Sequence, residues 1–121
     1  MEPYRVIIAG GRDFDDYPYL KQKCDALLRD KTKERPILIL SGTCSGADRL
    51  GERYAREKGY EIDPHPADWT RYGASAGPRR NRQMAEKADA LIAFHDGKSR
   101  GTKNMIEEAN ARRLPVRVCL Y

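Results

Sequence analysis

The run Gly10-Gly11-Arg12-Asp13-Phe14 is the first cluster of residues that can do chemistry. Adjacent glycines let a backbone turn tightly and approach a ligand closely. A guanidinium such as that of Arg12 forms forked pairs with phosphate. An ordinary glycine turn, with Arg12 and Asp13 paired to each other, accounts for the same residues equally well. A second cluster is Ser41-Gly42-Thr43-Cys44-Ser45-Gly46-Ala47-Asp48, in which small hydroxyl residues and two glycines lead into a helical pattern. The N–H groups and the positive end of a helix attract anions there. The run is neither GxxxxGK[ST] nor GxGxxG. Ser45 would serve as the N-cap. The density of Ser and Thr exceeds what one cap needs, which favours a phosphate or ribose ligand. Cys44 lies in this loop, but a nucleophilic thiol needs a base, and neither His65 nor His95 adjoins it in sequence.

Two further clusters follow. Trp69 and Tyr72 can offer a stacking wall to a base, with Trp69 as an ordinary core residue the alternative. Arg79, Arg80 and Arg82 place positive charge at the start of a helix, against its dipole. Helix stability does not explain that placement; a solvated basic turn or a ligand does, and the ligand reading is favoured at Arg80 and Asn81. The run His95-Asp96-Gly97-Lys98-Ser99-Arg100-Gly101-Thr102 again sets glycines and hydroxyls before a helix, with Thr102 as the expected N-cap and Lys98 and Arg100 adding charge. His95 reads as a residue closing a strand.

Such loops need elements to hold them. Short apolar runs read as strands at residues 4–9, 36–40, 90–94 and 116–120, with the less apolar Tyr60-Glu61-Ile62-Asp63 as a fifth candidate. Uninterrupted apolar runs indicate strands covered on both faces, hence a parallel sheet. Helical spacing fills the gaps, over residues 19–28, 47–58 with Gly59 as the stop, 78–88 and 103–113. The alternation predicts an α/β fold, a Rossmann-like doubly wound parallel sheet of about five strands in the order 3-2-1-4-5 with helices on both faces. The stretch from Pro64 to Gly77 breaks the rhythm and reads as a long ordered loop. In such a sheet, ligands bind beyond the carboxyl ends of the strands, and the clusters above sit there.

The 121 residues suit one domain, 1–121. Lys and Arg number 23 against 18 Asp and Glu, a net charge of +5 that suits anionic partners from a mononucleotide to a nucleic acid. No apolar run approaches the ~20 residues of a membrane span, and the first residues lack a signal-peptide pattern. The expected location is cytoplasmic, with no membrane partner. Cys24, Cys44 and Cys119 form no CxxC pair and there are two distant histidines, so reduced thiols and no metal site are expected.

Together the clusters resemble a known family. Gly10-Gly11-Arg12-Asp13-Phe14, Ser41-Gly42-x-x-x-Gly46-Ala47-Asp48, Asp68-Trp69-x-x-Tyr72-Gly73, Ala76-Gly77-Pro78-x-Arg80-Asn81-x-x-Met84, Ala88-Asp89-Ala90 and Ser99-x-Gly101-Thr102 resemble the YspA-like branch of the SLOG superfamily. That superfamily is similar in fold to the DprA and lonely-guy proteins. The resemblance implies a nucleotide-binding sensor or processor and a homo-oligomer; no cofactor is expected. Lonely-guy enzymes cleave the N-glycosidic bond of nucleoside 5′-monophosphates. Arg80-Asn81-x-x-Met84 is similar to one of their motifs, which makes Arg80 a catalytic candidate. In the other, Gly97 and Gly101-Thr102 remain, but Met105 stands where the catalytic Glu is expected. A thioether is neither acid nor base, so that reaction would require Glu108 or Asp13. The leading expectation is a nucleotide-like ligand with its phosphate on the Ser41–Gly46 and Ser99–Thr102 loops, aided by Arg12 and Arg80. Its contacts would be Gly10, Gly11, Asp13, Gly42, Thr43, Ser45, Asp48, Trp69, Asn81 and Gly97. The alternatives are phosphoribohydrolase chemistry with Arg80 and Glu108, and DprA-like nucleic-acid binding.

Overall fold

The computed structural model describes residues 1–121. Five strands, β1 (Tyr4–Gly10), β2 (Ile37–Ser41), β3 (Glu61–Pro64), β4 (Ala90–His95) and β5 (Val116–Leu120), form one sheet in the order β3-β2-β1-β4-β5. Every pairing is parallel; Ile7 sits opposite Leu40 on one side and Leu91 on the other. This is the expected order. The chain leaves β3 at one edge and crosses to β4 on the far side of β1. The order therefore reverses between β1 and β4.

Six helices join the strands: α1 (Tyr17–Leu28), α2 (Lys31–Glu34), α3 (Ala47–Lys58), α4 (Trp69–Tyr72), α5 (Ala76–Lys87) and α6 (Arg100–Ala111). Side chains alternate across a strand, so β1 feeds two cores. Val6 and Ile8 join Leu20, Cys24 and Leu28 of α1 and Tyr54 and Ala55 of α3. Ile7 and Ala9 join Met84 and Ala85 of α5 and Met105 and Ala109 of α6. The fully buried Ile7 and Ile8 each contribute about 1.5–3 kcal/mol relative to exposure.

Three local expectations are corrected. The stretch read as a loop from Pro64 holds α4 and a 3₁₀ turn, Gly73–Ser75, before α5 begins at Ala76. Asp68 caps α4 by accepting the Arg71 N–H at 3.1 Å, a signal that the surrounding glycines and prolines obscured. Ser45 does not cap α3. Gly46 holds that position without a side-chain bond, and the Ser45 hydroxyl donates to the Arg12 carbonyl at 3.4 Å. Ser99, not Thr102, caps α6, accepting the Thr102 N–H at 3.3 Å.

Gly10 ends β1 where backbone, helix and sheet meet. A Cβ there would overlap the Phe94 carbonyl and lie 2.8 Å from Ala47 Cβ. Gly101, in the first turn of α6, has open space where a Cβ would go. Gly10→Ala is expected to destabilise by about 1–3 kcal/mol through overpacking. Gly101→Ala should be neutral or stabilising by up to ~1 kcal/mol. Urea unfolding of both variants checks this, and equal effects would contradict the packing account.

Candidate functional site

A cavity of about 590 Å³ opens at the carboxyl ends of β1 and β4, where the strand order reverses. Its size is that of a small-molecule site. The turn after β1 forms one wall with Gly10, Gly11, Arg12 and Asp13. The start of α6 forms another with Ser99, Arg100, Gly101 and Thr102. Cys44 and Asp48 enter from the β2–α3 junction, Arg80 and Asn81 from α5, and Trp69 from α4, while the buried Met84 and Met105 supply apolar surface.

Arg80 is the hub. It is 8% exposed. Its Nε donates to Asn81 Oδ1 at 2.9 Å, and its Nη1 donates to the carbonyls of Gly42 and, at 3.4 Å, His65. Nη2 has only the Cys44 Sγ, at 3.9 Å. Asn81 in turn donates to Asn104 Oδ1 at 2.9 Å and to the Gly101 carbonyl at 3.4 Å, tying α5 to α6. Gly42 lies between Arg80 and Asp48. A Cβ on Gly42 would stand 2.7 Å from Asp48 Oδ2 and 2.8 Å from Arg80 Nη1, so glycine is required by space.

The β2–α3 junction is closed on itself. Ser41 Oγ donates to the buried Glu52 at 2.6 Å and accepts the Thr43 N–H at 3.1 Å. The Cys44 N–H goes to Asp48 Oδ2 at 3.1 Å, and the Ala47 N–H goes to the Gly11 carbonyl at 3.1 Å. The hydroxyl density that suggested a phosphate cradle thus latches this loop to α3 and to the β1 turn. Ser41, Gly42, Thr43, Ser45 and Gly46 do not line the cavity. The α6 start is different. Asp96 accepts the Lys98 and Ser99 N–H groups at 2.8 and 2.9 Å, and Ser99 accepts that of Thr102. The Arg100 and Gly101 N–H groups, first in the helix, have no partner within the chain.

The other expected residues divide clearly. Arg12 does not pair with Asp13. Its guanidinium lies 5.9 Å over the Trp69 ring, and Asp13 accepts the Tyr121 hydroxyl at 2.8 Å. Trp69 is 48% exposed and is a rim residue, not core. Arg79 stacks on Tyr72 at 4.3 Å, while Arg82 reaches toward Glu108 at 3.9 Å. Helical spacing turns only Arg80 of the three into the cavity. Glu108 does not line it; its carboxylate is bound by Arg112 at 2.8 Å. Three residues beyond Met105, it sits almost a full turn further along α6. The two candidate catalytic residues, Arg80 and Glu108, are therefore not brought together. Gly97 also lies outside the lining. Asn104 and Asp96 line the cavity without having been singled out, and Arg100, noted for its charge, lines it as well; Asn104 becomes visible only once α6 is known to start at Arg100.

Asp48 is the electrostatic anomaly. Burial pushes its carboxyl up to about 6, against the opposing pull of the Cys44 N–H and the Arg80 charge, and nearby Glu52 adds to the rise. A raised folded-state value means that ionisation opposes folding. The associated stability is full below the unfolded carboxylate range near ~4 and is lost as pH rises through about 6. Asp48→Asn cannot ionise. Its stability relative to wild type is expected to rise by on the order of 1–3 kcal/mol between pH 4 and pH 8. Urea melts at both pH values measure it, and a pH-independent difference would contradict the assignment.

Comparisons with known proteins agree with this fold. A model of the YspA, cpYpsA-related SLOG family matches residues 4–72. The Gene 61 protein of Mycobacterium phage D29 is 35% identical over 120 residues, spanning 93% of each chain. DNA processing protein A (DprA) from Streptococcus pneumoniae superposes with a TM-score of 0.72 at 16% identity, over 96% of this chain and 50% of that one. The protein TM1055 does so at 0.67 and 21%, over 95% and 72%. The DprA of Helicobacter pylori, described with a single-stranded DNA binding mode, does so at 0.65 and 23%, over 96% and 65%. At these identities the structural likenesses establish the fold, and this chain spans only half the length of the pneumococcal protein.

Proposed function

This chain belongs to the YspA, cpYpsA-related SLOG family, and on that premise we propose that its cavity binds a nucleotide by its phosphate. The observation that carries the reading is the start of α6. Two backbone N–H groups, on Arg100 and Gly101, lack partners in residues that line the cavity. A helix start with unpartnered N–H groups is a ready anion site. The Arg12, Arg80 and Arg100 side chains surround the same space, and Arg80 keeps one nitrogen with only a weak sulfur contact. The phosphate seat is thus the Ser99–Thr102 loop. The Ser41–Gly46 loop positions Cys44 and Asp48 through its internal bonds.

The remainder of the ligand has a place. A phosphate fills a small part of about 590 Å³. The half-exposed Trp69 offers an aromatic face at the mouth, suited to a base. Binding, without an assigned reaction, is the function this geometry supports best, since Met105 and not a carboxylate lines the cavity from the second turn of α6.

Gly101→Asp tests the seat with opposite signs in two measurements. An acidic side chain in the first turn of a helix stabilises it by about 0.3–1 kcal/mol. The same charge beside the two free N–H groups repels phosphate. The expected result is an unchanged or higher Tm together with at least a tenfold loss of nucleoside monophosphate affinity by calorimetry. Single-stranded DNA, titrated across a range of salt, is the comparison ligand. Undiminished nucleotide binding by the variant would refute the seat, and tight, steeply salt-dependent DNA binding with no mononucleotide binding would favour a nucleic-acid interface.

A further inference from the structure

Three carboxylates line the cavity, each with one oxygen bonded within the chain, and they differ in burial, Asp48 alone being buried. Asp13 receives the Tyr121 hydroxyl, and Asp96 receives two backbone N–H groups that hold its carboxyl below the ordinary range. Asp48 is 6% exposed. Its Oδ2 accepts the Cys44 N–H, and its Oδ1 has no hydrogen-bond partner in the chain. The neighbouring guanidinium does not supply one. Arg80 directs its donors to Asn81, Gly42 and His65 and makes no ion pair with Asp48. Oδ1 is not sealed in the interior but stays accessible in a residue that lines the cavity, so a ligand entering there can donate to it.

A nucleotide's phosphate, mostly the dianion at pH 7.5 and then without an O–H, does not supply that donor, and its charge would be repelled by Asp48. The ligand must then carry an acceptor for α6 and a separate donor for Asp48. In a nucleotide the groups between phosphate and base are sugar hydroxyls. With the phosphate at α6 and the base at Trp69 on the rim, the sugar is the part left for the buried polar interior of Asp48, Arg80 and Asn81. Buried carboxylates are established acceptors for ribose hydroxyls in parallel-sheet folds.

Resting on the nucleotide reading above, we propose that Asp48 is a specificity-determining residue that accepts a hydrogen bond from a sugar hydroxyl of the ligand through Oδ1. The cavity then selects ribonucleotides over a deoxynucleotide that lacks the hydroxyl engaged. Gly42 serves this arrangement by leaving room for the carboxylate beside the guanidinium.

Calorimetric titration of the full chain at pH 7.5 tests the proposal. The probes are a ribonucleoside 5′-monophosphate, its 2′-deoxy and 3′-deoxy counterparts, and inorganic phosphate. A lost hydrogen bond to a charged acceptor predicts at least a tenfold weaker Kd for one of the two deoxy ligands. In Asp48→Asn that ratio is expected to shrink to about threefold or less, because the ribonucleotide weakens toward its deoxy counterpart. Ribo and deoxy ligands that bind wild type equally tightly would overturn this inference and leave the nucleotide reading standing. A chain that binds none of the four probes would overturn both. Because the wild-type comparison suffices by itself, the test holds even if Asp48→Asn does not fold. Selectivity that follows the amino groups of the base and not the sugar would assign Oδ1 to the base and refute the proposal.

Discussion

A buried guanidinium holds the candidate site together. Arg80 lies at the inner end of the cavity, and its charge is compensated by carbonyl and amide oxygens and by the field of Asp48, without a direct ion pair. Such a charge tolerates little rearrangement, because each lost acceptor leaves it less solvated in a low-dielectric interior. Its acceptors come from the end of β2, from His65 just beyond β3, and from α5, with Asn81 extending the network to α6. One side chain therefore fixes the relative positions of segments far apart in sequence. The space Arg80 needs dictates glycine at position 42, and its neighbour Asn81 anchors the start of α6.

That arrangement explains why the carboxyl end of the sheet carries ligand chemistry. The crossover from β3 to β4 opens a crevice beside β1 that no helix fills. Three helices, α3, α5 and α6, begin around it. Their N-terminal N–H groups are not equivalent. The start of α3 already carries a carboxylate, Asp48, and gives its Ala47 N–H to Gly11, whereas α6 has no acidic residue in its first turn and leaves the Arg100 and Gly101 N–H groups without partners. The distinction moves the phosphate from the serine-rich loop to the plainer one. The serine-rich loop instead leads to the one buried carboxylate of the three that line the cavity.

Much of this was legible in the sequence, for identifiable reasons. The three central strands, β1, β2 and β4, are short, dense apolar runs that are largely buried, the edge strands β3 and β5 are more exposed, and right-handed crossovers restrict their order. Gly10-Gly11 and Ser99-x-Gly101-Thr102 stood out because glycine and hydroxyl residues recur after strands, and Arg80-Asn81 because positive charge at a helix start opposes its dipole. What stayed hidden depends on contacts between distant positions. Ser41 looks like a ligand contact until Glu52, eleven residues on, is seen to take its hydrogen. Three arginines on α5 look equivalent until the helix turns one inward. The four-residue α4 carries no periodicity, and its cap at Asp68 was masked by the glycines and prolines around it. Glu108 seemed a substitute for Met105 on sequence proximity, but a helix places it elsewhere. Tyr121 gave no local signal of reaching Asp13.

The central claim is that phosphate binds the start of α6. The most direct test is amide NMR of the chain titrated with a nucleoside 5′-monophosphate. The account predicts saturable shifts largest at the Arg100 and Gly101 N–H groups, with the Thr43, Cys44 and Ala47 N–H groups, already engaged within the protein, changing little. Shifts that are absent at Arg100 and Gly101, or that concentrate on the β2–α3 loop, would contradict it.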